Sequence, residues 1–84
     1  MQRFKCLFTE NFSRIYSKLN KNLKERVDKA INKILEKPEV GKPLKYDLAG
    51  LRSERIGKFR ILYEIRGNVI IFHTFEHRKV VYRK

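Results

Sequence analysis

The stretch that decides the fold is GLRSERIGKFRILYEIRG, residues 50–67. Its pattern predicts a β-hairpin with one arm at Leu51–Ile56, a turn at Gly57–Lys58 and a second arm at Phe59–Ile65. A tight hairpin turn needs a residue with positive φ, and glycine adopts that conformation without steric cost. The rest of the chain is therefore expected to be arranged around a pair of antiparallel strands.

The second arm alternates in character, so its side chains point in turn to the two faces of the sheet. One face carries Phe59, Ile61, Tyr63 and Ile65, and the other carries Arg60, Leu62 and Glu64. Arg60 is unusual, because a cation inside a central strand is costly unless it is paired. One explanation is an internal ion pair with Glu54, Glu64 or Glu76. The other is a bound phosphate that Arg60 shares with Arg52, Arg55 and Arg78.

Length and charge indicate one small basic domain. Eighty-four residues, of which 42% are hydrophobic, suffice for a single core and are expected to form one domain over residues 1–84. The formal net charge of +12 indicates a nucleic acid, an anionic membrane or an acidic protein as partner. Residues 1–40 carry seven Lys and three Arg, whereas residues 41–84 carry five Lys and six Arg. Because a guanidinium fork suits phosphate, this asymmetry predicts a nucleic-acid surface on the sheet.

The cysteine and the histidines narrow the class of protein. Cys6 is the single cysteine, so no intrachain disulfide forms, and its apolar segment predicts a buried core residue. No secretory leader or long apolar span is recognisable, so we expect a cytoplasmic protein without a membrane partner. The two histidines and the cysteine lack the spacing of a metal site, and the apolar helical stripes need no cofactor. We therefore expect neither a metal nor a cofactor.

Hydrophobic periodicity predicts an α+β fold. A first strand is expected at Arg3–Phe8, followed by a helix that Thr9 or Asn11 caps. A second helix is capped by Asn20 and ended by Pro38. The remaining predictions are a loop at 38–50, a turn at Gly67–Asn68, a strand at Val69–Phe75 and a short strand at Val80–Arg83. The order is an N-terminal strand, an antiparallel two-helix hairpin and an antiparallel β-meander, with the helices packed on one face of a single sheet.

Two segments carry a resemblance to a known family: RSERIGKFRILYEI at 52–65 and VIIFHTFEHRKVVYRK at 69–84. Over nearly its whole length the chain resembles toxins of the RelE/ParE superfamily, and the RelE-like branch in particular. The resemblance implies the toxin of a type II toxin–antitoxin pair, an endoribonuclease that cuts messenger RNA in the ribosomal A site. It also implies that an acidic, RelB-like antitoxin wraps around the toxin in a hetero-oligomer and silences it.

The resemblance also implies roles for individual residues. Arg60 falls where the branch keeps an arginine for the scissile phosphate, Arg78 lies near a basic position of the last loop, and Tyr82 matches a functional tyrosine. His77 completes the predicted catalytic set as a proton shuttle, because an imidazole exchanges protons near neutral pH, whereas arginine is a poor base. The remaining cations of this region are assigned to RNA binding: Arg52, Arg55, Lys58, Lys79 and Arg83.

The chain departs from the branch in the first arm of the hairpin and near its end. Leu51 and Ser53 stand where well-studied members carry lysines, and Glu76 falls where an arginine is sometimes found. Arg52 is a substitute cation, but in a regular strand its side chain points to the face opposite Arg60. A site with fewer proton donors should depend on the ribosome to hold messenger RNA in line.

Other interpretations stay open at this point. His73 lies inside an apolar strand and is predicted to be a core histidine. For the whole protein, one alternative is a ParE-like inhibitor of DNA gyrase that cuts nothing. Another is a non-catalytic RNA-binding module, although the sheet lacks an obvious row of exposed aromatic residues for base stacking.

Overall fold

The computed structural model describes residues 4–78, which form two α-helices and five β-strands. In chain order the elements are β1 (Lys5–Phe8), α1 (Glu10–Ser17), α2 (Lys21–Glu36), β2 (Lys42–Pro43), β3 (Arg52–Ile56), β4 (Phe59–Arg66) and β5 (Val69–His77). Single turns of 3₁₀ helix at Pro38–Val40 and Tyr46–Leu48 lie on either side of β2. The strand predicted at Val80–Arg83 lies outside the described residues, as does Arg3.

The strands form one mixed sheet with the order β1-β5-β4-β3-β2. β3, β4 and β5 make the predicted antiparallel meander, with turns at the predicted positions Gly57–Lys58 and Gly67–Asn68. β1 runs parallel to β5, because the two helices carry the chain across the sheet before the meander begins. The predicted α+β fold is confirmed. The short strand β2, which pairs with β3, falls inside the predicted loop and was missed.

Both helices begin at predicted caps. The Oγ1 atom of Thr9 accepts a hydrogen bond from the Phe12 N–H at 3.0 Å, and the Oδ1 atom of Asn20 accepts one from the Leu23 N–H at 2.8 Å. α2 ends two residues before Pro38, which cannot continue a helix. Within residues 4–78, neither helix has the length and apolar character that crossing a membrane requires.

One apolar core lies between the helices and the sheet. Its buried side chains are Phe12, Val27, Ile34, Leu35, Ile56, Ile61, Tyr63, Ile70, Phe72 and Phe75. The Tyr63 hydroxyl donates to the Pro38 carbonyl at 2.6 Å and accepts from the Gly41 N–H at 2.9 Å. A Cβ atom on Gly41 would lie 2.5 Å from that hydroxyl, so the glycine leaves room for the ring. Tyr63 thus fastens the connection between α2 and β2 to the centre of β4.

Cys6 is exposed, so the prediction of a buried cysteine is wrong. β1 is an edge strand, and all four of its residues are exposed because nothing among the described residues pairs with its outer side. Among the apolar side chains of β1, that of Phe8 contacts residues of the core. The Phe8 ring stacks on Phe12 and Phe72, with centroid distances of 5.5 and 5.4 Å.

An irregularity in β5 changes which face its residues occupy. Leu62 pairs with Thr74, but the next residue, Tyr63, pairs with Phe72, so His73 is an extra residue in a β-bulge. The bulge lets Phe72 and Phe75 both reach the core, although they lie three positions apart along the strand. His73 turns out of the core, and the prediction of a core histidine is therefore wrong.

Candidate nucleic-acid interface

The face of the sheet that turns away from the helices is called the open face. Glu54 is the reference for assigning residues to the two faces. It lies on the helix side, because its Oε2 atom is 2.7 Å from Nζ of Lys33 on α2. The neighbouring residues Ser53 and Arg55 consequently lie on the open face. Cross-strand partners share a face, which adds Arg60, Leu62, Thr74 and Glu76, and alternation along β4 adds Glu64.

A row of charged residues crosses the open face near the hairpin turn. Arg55 stands directly opposite Arg60, and Arg60 stands opposite Glu76. The Nε and Nη2 atoms of Arg60 donate to Oε2 of Glu76 at 3.1 and 3.0 Å, and the two side chains are only 19% and 17% exposed. The structure thus contains the ion pair with Glu76 that was one of the two explanations given above for Arg60. A phosphate at Arg60 would share this guanidinium with Glu76 or replace the carboxylate.

Arg55 leaves the row with a net positive charge. It is exposed, and like charges directly opposite one another destabilise a pair of strands. Beside it, a cleft of about 340 Å³ between α2 and β3 is lined by Arg26, Lys29 and Arg55 and by the Lys33–Glu54 ion pair. Cations from the helical half and the strand half of the chain therefore converge on one edge of the sheet.

Two further predicted residues lie at the hairpin turn. Lys58 occupies the turn and is exposed. Arg78 follows β5 and contacts the same turn: its N–H donates to the Lys58 carbonyl at 2.7 Å, and its Nη1 atom donates to the Gly57 carbonyl at 3.1 Å. The structure thus brings Lys58 and Arg78 together at the end of the sheet where the Arg55–Arg60 row lies.

The structure separates His77 from Arg60. His77 pairs with Phe59, and the two rings meet edge-on at a centroid distance of 5.1 Å. Phe59 packs against the core on the helix side, so His77 lies on that side as well. His77 and Arg60, both assigned above to the catalytic set, therefore lie on opposite faces, because adjacent cross-strand rows point to opposite faces.

Arg52 also lies on the helix side, as predicted for a regular strand. Its Nη1 atom donates to the carbonyls of Glu39 and Gly41 at 3.2 and 2.7 Å. These two hydrogen bonds attach the connection between α2 and β2 to strand β3. Its role in RNA binding stays a prediction. The predicted roles of Lys79, Tyr82 and Arg83 stay predictions as well, because these residues lie outside the described part of the chain.

The sequence analysis missed a second charged group on the open face. The Nε2 atom of His73 lies 2.9 Å from Oε1 of Glu64, and Oε2 of Glu64 accepts from Nε and Nη2 of Arg66 at 3.0 and 2.7 Å. The hydrogen bond with His73, and then that with Arg66, lowers the pKa of Glu64 below its ordinary value. The only sequence signal was one Glu and one His in strands that are otherwise mostly apolar.

One family model matches the chain over residues 6–82. It describes the ParE-like toxin of type II bacterial toxin–antitoxin systems. The chain belongs to this family. Among individual relatives, Toxin RelG of Mycobacterium tuberculosis is 40% identical to the toxin over 47 residues. That alignment covers 54% of either protein, so the toxin spans about half the length of this relative.

Solved structures agree with this assignment. One chain of the RelBE2 toxin–antitoxin complex from M. tuberculosis matches 92% of the toxin and all of its own length, with a TM-score of 0.82 and 31% identity. The intact RelBE toxin–antitoxin complex of E. coli matches 95% of the toxin and 99% of its own chain, with a TM-score of 0.78. At 15% identity this second likeness concerns the fold alone. The resemblance to RelE-like toxins is confirmed.

Proposed function

We propose that the toxin is a ribosome-dependent endoribonuclease that cuts messenger RNA and so inhibits translation. The observation that carries this proposal is the Arg55–Arg60–Glu76 row, in which two arginines stand opposite each other and the carboxylate of Glu76 binds Arg60. An RNA phosphate would relieve the repulsion between these arginines, because guanidinium groups bind phosphate oxygens through paired hydrogen bonds.

Arg60 is the group that stabilises the charge developing on the scissile phosphate. In the free toxin, Glu76 holds its guanidinium by two hydrogen bonds, so the charge is already positioned before RNA binds. Arginine remains protonated at any pH the protein meets, so proton transfer needs another group. The family resemblance favours Tyr82 for this role, whereas His77, the other group that the sequence favours, lies on the face of the sheet opposite Arg60.

The ribosome supplies the alignment that the site lacks. Ser53 lies on the open face at a position where well-studied relatives carry a lysine, and it brings no ammonium group to the RNA. Holding the reacting oxygen and the phosphate in line can supply much of the barrier reduction. Translated messages are therefore cut, and free RNA is nearly inert.

An acidic antitoxin silences the toxin in the cytoplasm. A net charge of +12 favours an acidic partner, and the two solved structures described above are toxin–antitoxin complexes. An apolar cleft of about 290 Å³, lined mainly by Phe8, Phe12, Tyr16 and Ile31, fits the apolar face of a helix. Antitoxin contacts then cover or distort the open face. A pull-down from the host that recovers ribosomes but no small acidic protein would contradict this.

The decisive experiment compares the purified toxin with Arg60→Ala in three assays: cleavage on programmed ribosomes, cleavage of naked RNA and DNA supercoiling by gyrase. We expect cleavage only on ribosomes, and a loss of ~10²–10³ in the single-turnover rate for Arg60→Ala. A thermal melt of Arg60→Ala serves as the check that the variant is folded. Gyrase inhibition without cleavage would favour the ParE-like alternative, which the family description supports. Binding without cleavage would indicate an RNA-binding module.

A further inference from the structure

The β-bulge in β5 presents an imidazole on the open face. In a regular strand, His73 would follow Phe72 in the cross-strand ladder, but Tyr63 and Leu62 pair with Phe72 and Thr74 and pass His73 over. The His73 carbonyl, freed from the ladder, accepts hydrogen bonds from Thr9 Oγ1 at 3.0 Å and from Asn11 Nδ2 at 3.3 Å. Bulges commonly redirect a side chain next to a functional site.

The two ring nitrogens of His73 have different surroundings. The Glu64 carboxylate accepts hydrogen bonds but cannot donate when ionised, so Nε2 of His73 carries the proton in their 2.9 Å contact. Nδ1 makes no hydrogen bond to any residue in the range 4–78. The His73 side chain is 35% exposed, and no buried side-chain nitrogen or oxygen in that range lacks a partner, so Nδ1 is not sealed in the interior of this part of the chain. A carboxylate-oriented imidazole with its second nitrogen accessible is the arrangement of a general base.

His73 also lies within reach of RNA bound at Arg60. His73 lies three positions along β5 from Glu76, the partner of Arg60, which corresponds to about 10 Å of strand. If one ribose-phosphate unit of RNA lay between the two side chains, a hydrogen bond of about 2.8 Å would join it to His73 and another of the same length would join it to Arg60. The total length is of the same order as the separation along the strand.

We infer that His73, oriented by Glu64, is the general base of the RNA cleavage. This inference rests on the proposed function and goes beyond it, because it assigns proton transfer to a residue that neither the motif nor the family match singles out. His73 supplies on the open face the proton acceptor that His77, on the helix side, does not. A further charged group at this carboxylate is Arg66 on β4, whose Nε and Nη2 atoms donate to Oε2 of Glu64.

The proposed step is a transesterification. Neutral Nδ1 of His73 takes the proton of the ribose 2′-OH, and the 2′-oxygen forms a bond to the adjacent phosphorus. The bond from phosphorus to the 5′-oxygen breaks, and that oxygen takes a proton from solvent. The products are a 2′,3′-cyclic phosphate and a 5′-hydroxyl, and no oxidant, metal or second substrate is consumed. Arg60 stabilises the added negative charge on the phosphorane.

The test is single-turnover cleavage on programmed ribosomes by His73→Gln. The glutamine amide can donate to Glu64 as Nε2 does, but it does not titrate. We expect cleavage to fall by ~10²–10⁴ with ribosome binding unchanged. Asn11→Ala is the matched control: it removes a hydrogen bond to the His73 backbone without touching the ring, and its rate should stay within about twofold of wild type.

Glu64→Gln tests the positioning role by separating the chemical step from binding. Glutamine removes the charge that strengthens the hydrogen bond to Nε2 of His73, so the single-turnover rate constant on ribosomes should fall while ribosome binding stays unchanged. Lost stability alone would lower the folded fraction and not the rate per folded molecule. Wild-type cleavage together with an unimpaired His73→Gln would overturn the inference and leave the proposed function standing. No cleavage by wild type would overturn both.

If His73→Gln does not fold, the wild-type His73 ring resonances should shift on adding 2′-deoxy RNA, and unchanged resonances would refute the assignment.

Discussion

Tyr63 shows how one hydroxyl holds a connection in place. It is fully buried, and its hydroxyl bonds to both the Pro38 carbonyl and the Gly41 N–H. Tyr63→Phe should lower the free energy of unfolding by ~1–3 kcal/mol, because both backbone groups are left buried without a partner. Urea denaturation measures the change. Tyr46→Phe, at a site that is 90% exposed, is the control and should shift stability by less than about 0.5 kcal/mol.

Arg55 is the residue for which function and stability should oppose each other. It stands opposite Arg60 with its side chain exposed, so Arg55→Gln removes a repulsion between like charges. We expect the free energy of unfolding to rise by up to ~1 kcal/mol while cleavage on ribosomes falls. Lys37→Gln makes the same change in net charge at an exposed site away from the open face. A stability loss confined to Arg55→Gln would mean that Arg55 is held by attractive contacts instead.

At the scale of elements, the pairing of β4 with β5 should make stability depend on pH through Glu64. Its pKa lies below the ordinary value of about 4.5, with the His73 hydrogen bond as the largest cause and Arg66 as the next. A carboxyl group whose pKa is lowered on folding stabilises the fold above the unfolded value, and this contribution disappears as pH falls through the folded value. The difference in unfolding free energy between wild type and Glu64→Gln should therefore shrink below about pH 4.5.

Urea titrations between about pH 3 and pH 7 check this expectation. Glu25→Gln, an exposed carboxyl on α2, serves as the control for general charge effects. A difference between wild type and Glu64→Gln that stays constant over the whole range would show that the Glu64 contacts do not survive in solution.

For the whole molecule, the net charge of +12 predicts a strong dependence of RNA binding on salt. Each phosphate contact releases counterions, so the logarithm of the binding constant falls linearly with the logarithm of salt concentration. Arg55→Gln should reduce that slope by about 0.7 for single-stranded RNA if Arg55 contacts a phosphate. Lys37→Gln should leave the slope nearly unchanged. An unaltered slope for Arg55→Gln, with weaker binding at every salt concentration, would indicate a contact other than phosphate.

Most of the fold could be predicted from the sequence because its signals are local. Glycine at 57 and 67 marks the hairpin turns, side-chain alternation assigns the faces of β4, and Thr9 and Asn20 start the helices. Each of these signals depends on residues a few positions apart, where turn geometry and capping hydrogen bonds act directly. The family resemblance rested on the same hairpin together with the chain end.

The remaining features depend on residues far apart in the chain. The parallel pairing of β1 with β5 makes β1 an edge strand, which exposes Cys6 despite its apolar neighbours. The bulge at His73 comes from the need to bury Phe72 and Phe75 on one side of the sheet. The sequence by itself thus determined the helices, the turns, the family and the choice of Arg60 as a candidate. Only the tertiary structure decided that Arg60 pairs with Glu76 and that His73 meets Glu64, because strand register across the sheet sets which side chains become neighbours.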